Sequence, residues 1–138
     1  MLYNIPAILS PDLLWTLRAM GHGDEIVIAD ANFPAQGLGP KCLRLDGISA
    51  TDTLEAILEL LPLDTFVPTP AHTMQVVDDP TAVPDIVGHF QSLMPDHTIG
   101  SLERFDFYAR SAKAFAVIQT GETRLYGNII LTKGVIGT

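Results

Sequence analysis

The amino-acid sequence predicts an α/β fold, a three-layer α/β/α arrangement with a central, largely buried sheet that is mixed or parallel. Helical stripes of apolar residues alternate with strand-like apolar runs along the chain, which is the pattern of a sheet covered by helices. The run at residues 26–29 is continuously apolar, as in a strand that is buried on both faces. No linker, repeat or low-complexity tract divides the 138 residues, so residues 1–138 are expected to form a single domain.

A helix is predicted near the amino terminus. Ser10 can serve as its N-cap, Pro11 takes the first helical position, and Asp12 adds an acid to the first turn. Four apolar residues follow at helical spacing: Leu13, Leu14, Leu17 and Met20. Gly21 is expected to end this helix in a left-handed conformation.

The later elements are predicted from the same signals. A second helix is expected from Asp52, which forms a capping-box variant with Glu55, to a stop at Pro62. Two more helices are expected at residues 84–94 and 105–112. Strands are predicted at residues 25–29, 42–46, 73–77, 114–120 and 128–132, with a loop at 32–40.

The charge balance restricts the class of partner. Eight Lys and Arg residues stand against sixteen Asp and Glu residues, which gives a formal net charge of -8. A phosphate backbone would be repelled, so nucleic acid is not expected and a neutral substrate fits better. Charged residues make up only 17% of the chain, against roughly 25% in typical domains, so we expect self-association to cover part of the surface.

The sequence lacks the usual signatures of metal, nucleotide and membrane binding. Cys42 is the single cysteine, and no two of the four histidines have the i, i+4 spacing of a helical zinc motif. No Walker-type or dinucleotide-binding motif is present. Because there is no basic leader and no apolar run near ~20 residues, no membrane segment is predicted and a cytoplasmic location is expected. No metal or other cofactor is expected.

His22 and Asp30 stand at the two ends of the predicted strand at residues 25–29. In a purely structural interpretation, a histidine between Gly21 and Gly23 is a turn residue and an aspartate after a strand caps the next segment. In a functional interpretation, ligands of open α/β sheets bind outside the carboxyl ends of strands, where Asp30 lies. The flanking glycines would also leave the imidazole unshielded. The residues alone leave both interpretations open.

Two segments near the carboxyl terminus combine aromatic and polar side chains. Tyr126, Gly127 and Asn128 lead into the last predicted strand and offer a hydroxyl, an amide and an aromatic face. These are the groups that bind sugar hydroxyls. Arg104 opens the other segment, in which the neighbouring Phe105 is expected to pack in the core.

A set of short motifs, taken in order, resembles the ribose pyranase/fucose mutarotase family, and within it the L-fucose mutarotase branch. The matching segments are SPDLL at 10–14, MGHGDEI at 20–26, DANFPA at 30–35, RFDFY at 104–108, TGE at 120–122 and YGNI at 126–129. The resemblance covers nearly the whole chain and is weakest over residues 66–100.

The resemblance implies an enzyme that interconverts anomers or ring forms of a free monosaccharide without a cofactor. It implies that His22 is the proton donor and that Asp30, Arg104 and residues 126–128 bind the sugar. It also implies a ring-like homo-oligomer with sites near the subunit interfaces. Asn32 stands where the fucose branch commonly has histidine, which implies a changed secondary contact or sugar preference.

The chemistry of such a reaction suits these residue types. Opening a cyclic hemiacetal puts a proton on the ring oxygen and removes one from the anomeric hydroxyl, and histidine can supply and recover a proton near neutral pH. Asp30 is expected either to hold His22 in one tautomer or to accept a sugar hydroxyl. Tyr126 or a water would take the anomeric proton, while Arg104 and Asn128 hold other hydroxyls.

Three alternatives remain at this point. The first is a non-catalytic sugar-binding module linked to transport or regulation, which would keep Asp30, Arg104 and Asn128 without needing His22. The second is a ribose pyranase-type activity. The third is a structural oligomer that binds no sugar.

Overall fold

A mixed sheet of six strands lies at the centre of the computed structural model, which describes residues 1–137. The strands in chain order are β1 Glu25–Ala29, β2 Lys41–Leu45, β3 Ala71–Met74, β4 Ile99–Leu102, β5 Ala116–Thr120 and β6 Ile129–Thr132. The helices are α1 Pro11–Ala19, α2 Ala50–Leu58, α3 Asp85–Leu93 and α4 Arg104–Ser111, with a short 3-10 turn at Gln36–Leu38. None of the helices in residues 1–137 has the length and apolarity needed to cross a membrane.

The strand order is β2-β5-β1-β6-β3-β4, and β6 alone runs against its neighbours. Five strands are therefore parallel to one another, and their carboxyl ends meet at one edge of the sheet. The amino end of β6 lies at that same edge, because β6 is antiparallel to β1 and β3. We call this the carboxyl edge, and the opposite edge the amino edge.

Helices cover both faces of the sheet, as the sequence predicts. Along β1, Ile26 and Ile28 face one side and pack with α1, α2 and α3, whereas Val27 faces the other side. On that second side Phe107 of α4 and Phe33 of the loop after β1 cover the strand. All of these side chains are buried, so the continuous apolar run of β1 reflects burial on both faces.

The predicted end of the first helix needs a correction. The structure starts α1 at Pro11 with Ser10 as N-cap, as predicted, but ends it at Ala19 with Met20 extended. Gly21 does not become left-handed, because its N–H bonds to the Asp24 carboxylate at 2.7 Å, and Gly23 takes the positive φ of 84° instead.

The start of α2 also differs from the sequence prediction. Ser49, not Asp52, is the N-cap: its hydroxyl accepts a hydrogen bond from the Asp52 N–H at 3.1 Å, and the helix begins at Ala50. Serine and aspartate cap about equally well, so the local pattern did not distinguish two caps three residues apart.

The sequence missed β4 and misplaced Phe105. β4 is a short edge strand whose Gly100 and partly exposed neighbours give little apolar signal. Phe105 is 64% exposed rather than buried, whereas Phe107 is fully buried. The strand predicted at residues 25–29 has the predicted bounds, and the other predicted strands are present with ends shifted by at most three residues.

Candidate functional site

Asp30 and Asn128 meet at the carboxyl edge of the sheet. Asp30 directly follows β1 and Asn128 directly precedes the antiparallel β6. The Asp30 N–H donates to Asn128 Oδ1 at 2.8 Å, and Asn128 Nδ2 donates back to Asp30 Oδ2 at 3.1 Å. Both residues are buried. Two predicted site residues that lie 98 positions apart are thus joined by a reciprocal pair of hydrogen bonds.

The Asp30 carboxylate is held in one orientation by its neighbours. Asn32 N–H donates to Asp30 Oδ1 at 3.0 Å, and Gln119 Nε2 donates to the Asp30 carbonyl at 2.8 Å. Burial raises the pKa of Asp30, while hydrogen bonds from the backbone and from Asn128 oppose that rise. A desolvated carboxylate gains from any further donor, so Asp30 is suited to accept a ligand hydroxyl.

Tyr126 and Gly127 lie in the loop at residues 121–128, which joins β5 to β6. Tyr126 has a φ of 63°, which non-glycine residues seldom adopt and which is typical of functional loops. Its hydroxyl accepts a hydrogen bond from the Val77 N–H at 3.1 Å. A Cβ at Gly127 would lie 2.8 Å from Glu122 Cγ, so close packing requires glycine there.

Arg104 reaches the same edge from another part of the sheet. It is the first residue of α4, just after β4, and β4 is parallel to β1 through β3 and β6. Its guanidinium lies over the Phe105 ring, 4.5 Å from the ring centroid. Arg104 and Val77 border a cavity of about 420 Å³, and the Val77 N–H is the group that bonds to Tyr126.

His22 lies at the amino edge and not with the other five predicted residues. It precedes β1, whereas Asp30 follows that strand, and a five-residue strand spans roughly 16 Å. His22 Nε2 lies 3.1 Å from Asp64 Oδ1, and the side chain is 44% exposed. Within one chain, therefore, Asp64 and not Asp30 orients the imidazole. Inside a single subunit, Asp30 therefore cannot hold His22 in one tautomer, which is the first of the two roles predicted for it.

Sequence reasoning missed Asp64 and Phe66, which complete the surroundings of His22. Phe66 N–H donates to Asp64 Oδ1 at 3.0 Å, and the Phe66 ring packs against the imidazole with centroids 5.3 Å apart. The Phe66 N–H and then His22 lower the pKa of Asp64. The aspartate-to-N–H bond two residues on is an Asx turn, and this is the one local signal that the sequence carried.

The tautomer of His22 follows from this contact. When Nε2 carries the proton that is donated to Asp64, Nδ1 is left free to exchange a proton with a ligand. The amino edge can therefore transfer a proton, and the carboxyl edge can bind hydroxyl groups.

Glu122 and Arg124 form a second cluster that sequence reasoning did not single out. The Glu122 carboxylate is 4% exposed, and Arg124 Nε and Nη2 each donate to it at 2.9 Å. The Arg124 hydrogen bonds are the main reason that the pKa of Glu122 falls to about 2. Among residues 1–137, no three His, Cys, Asp or Glu side chains are arranged to hold a metal ion.

Comparisons with known proteins find relatives that cover nearly the whole chain. A profile of the RbsD / FucU transport protein family matches residues 3–136. Human fucose mutarotase is 48% identical over 145 residues, which cover 98% of this chain and 94% of that protein. The crystal structure of the fucose mutarotase from Streptococcus pneumoniae in complex with L-fucose superposes with a TM-score of 0.92 at 48% identity, covering 99% of this chain and 100% of that one. The structure of Bacillus subtilis RbsD complexed with D-ribose gives 0.77 at 27% identity, covering 94% and 95%.

Proposed function

The chain belongs to the RbsD / FucU transport protein family, and from this premise we propose that it is an L-fucose mutarotase. It is an isomerase that interconverts the α and β anomers of the free sugar. The observation that carries this conclusion is the near-full-length similarity to fucose mutarotases, one of them solved in complex with L-fucose. The ribose-complexed relative is more distant in both sequence and structure, which favours fucose over a ribose pyranase-type activity.

The carboxyl edge is the proposed sugar-binding surface. Asp30 accepts a sugar hydroxyl, while Arg104 and Asn128 hold other hydroxyls, and Tyr126 lies beside them. A sugar hydroxyl both donates and accepts, so a carboxylate next to an amide and a guanidinium suits it. L-fucose is uncharged, in agreement with the net charge of -8, which would oppose the entry of an anion.

His22 is the proposed proton donor. It protonates the ring oxygen, the bond between that oxygen and the anomeric carbon breaks, and the anomeric hydroxyl loses its proton to Tyr126 or to water. The open aldehyde then rotates and recloses on its other face. In this step the former ring oxygen attacks the carbonyl carbon and returns its proton to His22, while the carbonyl oxygen regains a proton from Tyr126 or water and becomes the new anomeric hydroxyl. No electrons are gained or lost, and general acid–base catalysis of this type is typically worth about 10²–10⁴-fold.

A site that contains both His22 and Asp30 requires two copies of the chain. We propose that His22 of one subunit faces Asp30 of its neighbour in a ring-like homo-oligomer. Exposed apolar side chains at both edges of the sheet support contact there: Phe66 is 72% exposed near His22 at the amino edge, and Phe105 is 64% exposed beside Arg104 at the carboxyl edge. The low charged fraction of 17% also favours a surface that is partly covered.

Mixing two inactive variants tests the two-copy site. His22→Ala and Asp30→Ala subunits, co-assembled in equal amounts, should regain about a quarter of wild-type exchange, because each random interface has one chance in about four of pairing two intact halves. Each variant alone should stay inactive. If the mixed assembly is as inactive as the separate variants, the site lies within one subunit.

NMR magnetisation exchange between the anomers tests the function itself. Wild-type protein should accelerate exchange of L-fucose well above that of D-ribose. Fucose binding by calorimetry without faster exchange would instead favour the non-catalytic sugar-binding module, and absence of both would refute the proposal. A cytoplasmic location remains a prediction, which fractionation of cells that express the full chain would check.

A further inference from the structure

Glu122 is surrounded by hydrogen-bond donors at the carboxyl edge. Its carboxylate accepts from Arg124 N, Nε and Nη2, each at 2.9 Å, and from the Ala50 N–H at 3.2 Å. A carboxylate offers about four lone-pair positions, so these four donors occupy it fully. Glu122 therefore has no acceptor capacity left for a sugar hydroxyl, although it lies close to residues that bind one.

The contacts of Glu122 connect the separate parts of the sugar-binding surface. Its carbonyl accepts a hydrogen bond at 2.9 Å from the N–H of Ala31, the residue directly after Asp30. Its Cγ packs against Gly127, directly before Asn128, where an added Cβ would be only 2.8 Å away. One residue thus touches the chain beside both members of the reciprocal hydrogen-bonded pair.

The Glu122 side chain also anchors the loop at residues 121–128 to α2. Ala50 is the first residue of that helix, and its N–H points at the carboxylate, a favourable place for negative charge. Arg124 continues the anchor, because its Nη2 also donates to Thr51 Oγ1 at 3.1 Å. The loop at residues 121–128 is therefore tied to a rigid helix through charge-assisted hydrogen bonds around the buried Glu122 carboxylate.

This loop needs such an anchor because of Tyr126. A left-handed conformation in a residue other than glycine persists only when its surroundings enforce it. The Tyr126 hydroxyl is held by the Val77 N–H at 3.1 Å, but that bond lies at the far end of the side chain. On the main-chain side, the neighbour Gly127 packs directly against Glu122.

We infer that Glu122 is a positioning residue, which holds the loop at residues 121–128 so that Tyr126 and Asn128 meet Asp30 in binding geometry. The inference rests on the proposed mutarotase function. It assigns Glu122 to substrate affinity, because the proton on the ring oxygen comes from His22 of the neighbouring subunit and the anomeric proton can pass to water when Tyr126 is displaced.

Glu122→Gln tests this inference by removing the charge while keeping the shape. Loss of a charge-assisted hydrogen bond should raise the KM for L-fucose about 10-fold or more, with kcat per folded subunit changed less than about 3-fold. The amides of residues 121–128 should also exchange with deuterium faster than in the wild type. Arg124→Ala, at a side chain that is 42% exposed, is the second variant and should shift KM in the same direction if Glu122→Gln folds poorly.

Asp46→Asn is the matched control, because Asp46 makes an exposed pair with Arg44 at the same edge of the sheet and should leave KM unchanged. Lower thermal stability with a wild-type KM would show a merely structural role and overturn the inference. A fall in kcat at constant KM would also overturn it. If wild-type protein does not exchange fucose anomers at all, the proposed function fails instead. The deuterium exchange of the loop then still decides whether Glu122 holds it.

Discussion

The two ends of β1 carry the proposed chemistry in opposite physical settings. Asp30 at the carboxyl edge is 6% exposed and accepts hydrogen bonds from the main-chain N–H of Asn32 and the side-chain amide of Asn128. His22 at the amino edge is 44% exposed and bonds to one carboxylate. A group that binds a rigid ring benefits from fixed geometry, whereas a group that delivers a proton to a neighbouring subunit must stay accessible. Burial and exposure thus separate binding from proton transfer.

The largest predicted effect comes from removing the accessible imidazole of His22 at the amino edge. His22→Ala should lower the exchange rate of L-fucose anomers about 10²–10⁴-fold, while calorimetric affinity for the sugar changes little because the carboxyl edge is intact. NMR magnetisation exchange measures the rate. His97→Ala is the matched control, since His97 lies at the same edge just before β4 and should keep full activity. A rate within about 3-fold of the wild type for His22→Ala would contradict the assigned role.

The buried Glu122 carboxylate at the carboxyl edge can be tested by measuring stability at acidic pH. The pKa of Glu122 is lowered to about 2, so its contribution is complete above its ordinary value near pH 4.5 and is lost as the pH falls towards 2. The loss should approach about 3 kcal/mol of unfolding free energy in that window. Chemical denaturation of wild type and Glu122→Gln between pH 7 and pH 2.5 measures it.

Only the wild type should show this loss, so the difference between the two proteins isolates Glu122 from the other acids. Parallel stability curves for wild type and Glu122→Gln would contradict the prediction.

Asp30 should act with the opposite sign. Because burial raises its pKa, the folded state loses stability as the pH rises from about 3.8 towards the raised value.

A smaller effect is expected from the partner of the proton donor. Asp64→Asn keeps the shape of Asp64 but weakens the charge-assisted hydrogen bond that holds His22 Nε2, so exchange should fall about 10-fold through poorer orientation of the ring. NMR magnetisation exchange measures this rate. An unchanged rate would show that Asp64 serves only the Asx turn to Phe66.

The smallest effect is expected at Asn32. Its main-chain N–H, which any residue except proline retains, bonds to Asp30 Oδ1, and the side chain is exposed. Asn32→His, which restores the residue common in the fucose branch, should therefore change fucose affinity by less than about 3-fold. Titration calorimetry with L-fucose and D-ribose measures this. A larger gain for fucose would mean that the side chain reads the sugar directly.

Local patterns predicted the carboxyl edge better than the amino edge. The run at residues 26–29 predicted β1, the strand end predicted Asp30, and the segment before β6 predicted Asn128, because each signal lies within a few residues. The contact of His22 with Asp64 depends on the chain after α2 passing under the end of β1, where Leu63 pairs with Lys133. No local pattern encodes a meeting of segments so far apart.

The length of β1 has a consequence for how the activity depends on protein amount. A strand that is buried on both faces cannot bend to bring its two ends together, so under the proposed two-copy arrangement an isolated copy holds two unlike halves of the site. Dilution below the dissociation constant of the assembly should then abolish catalysis while each chain stays folded. Specific activity would rise with expression level, which makes abundance itself a control on the reaction.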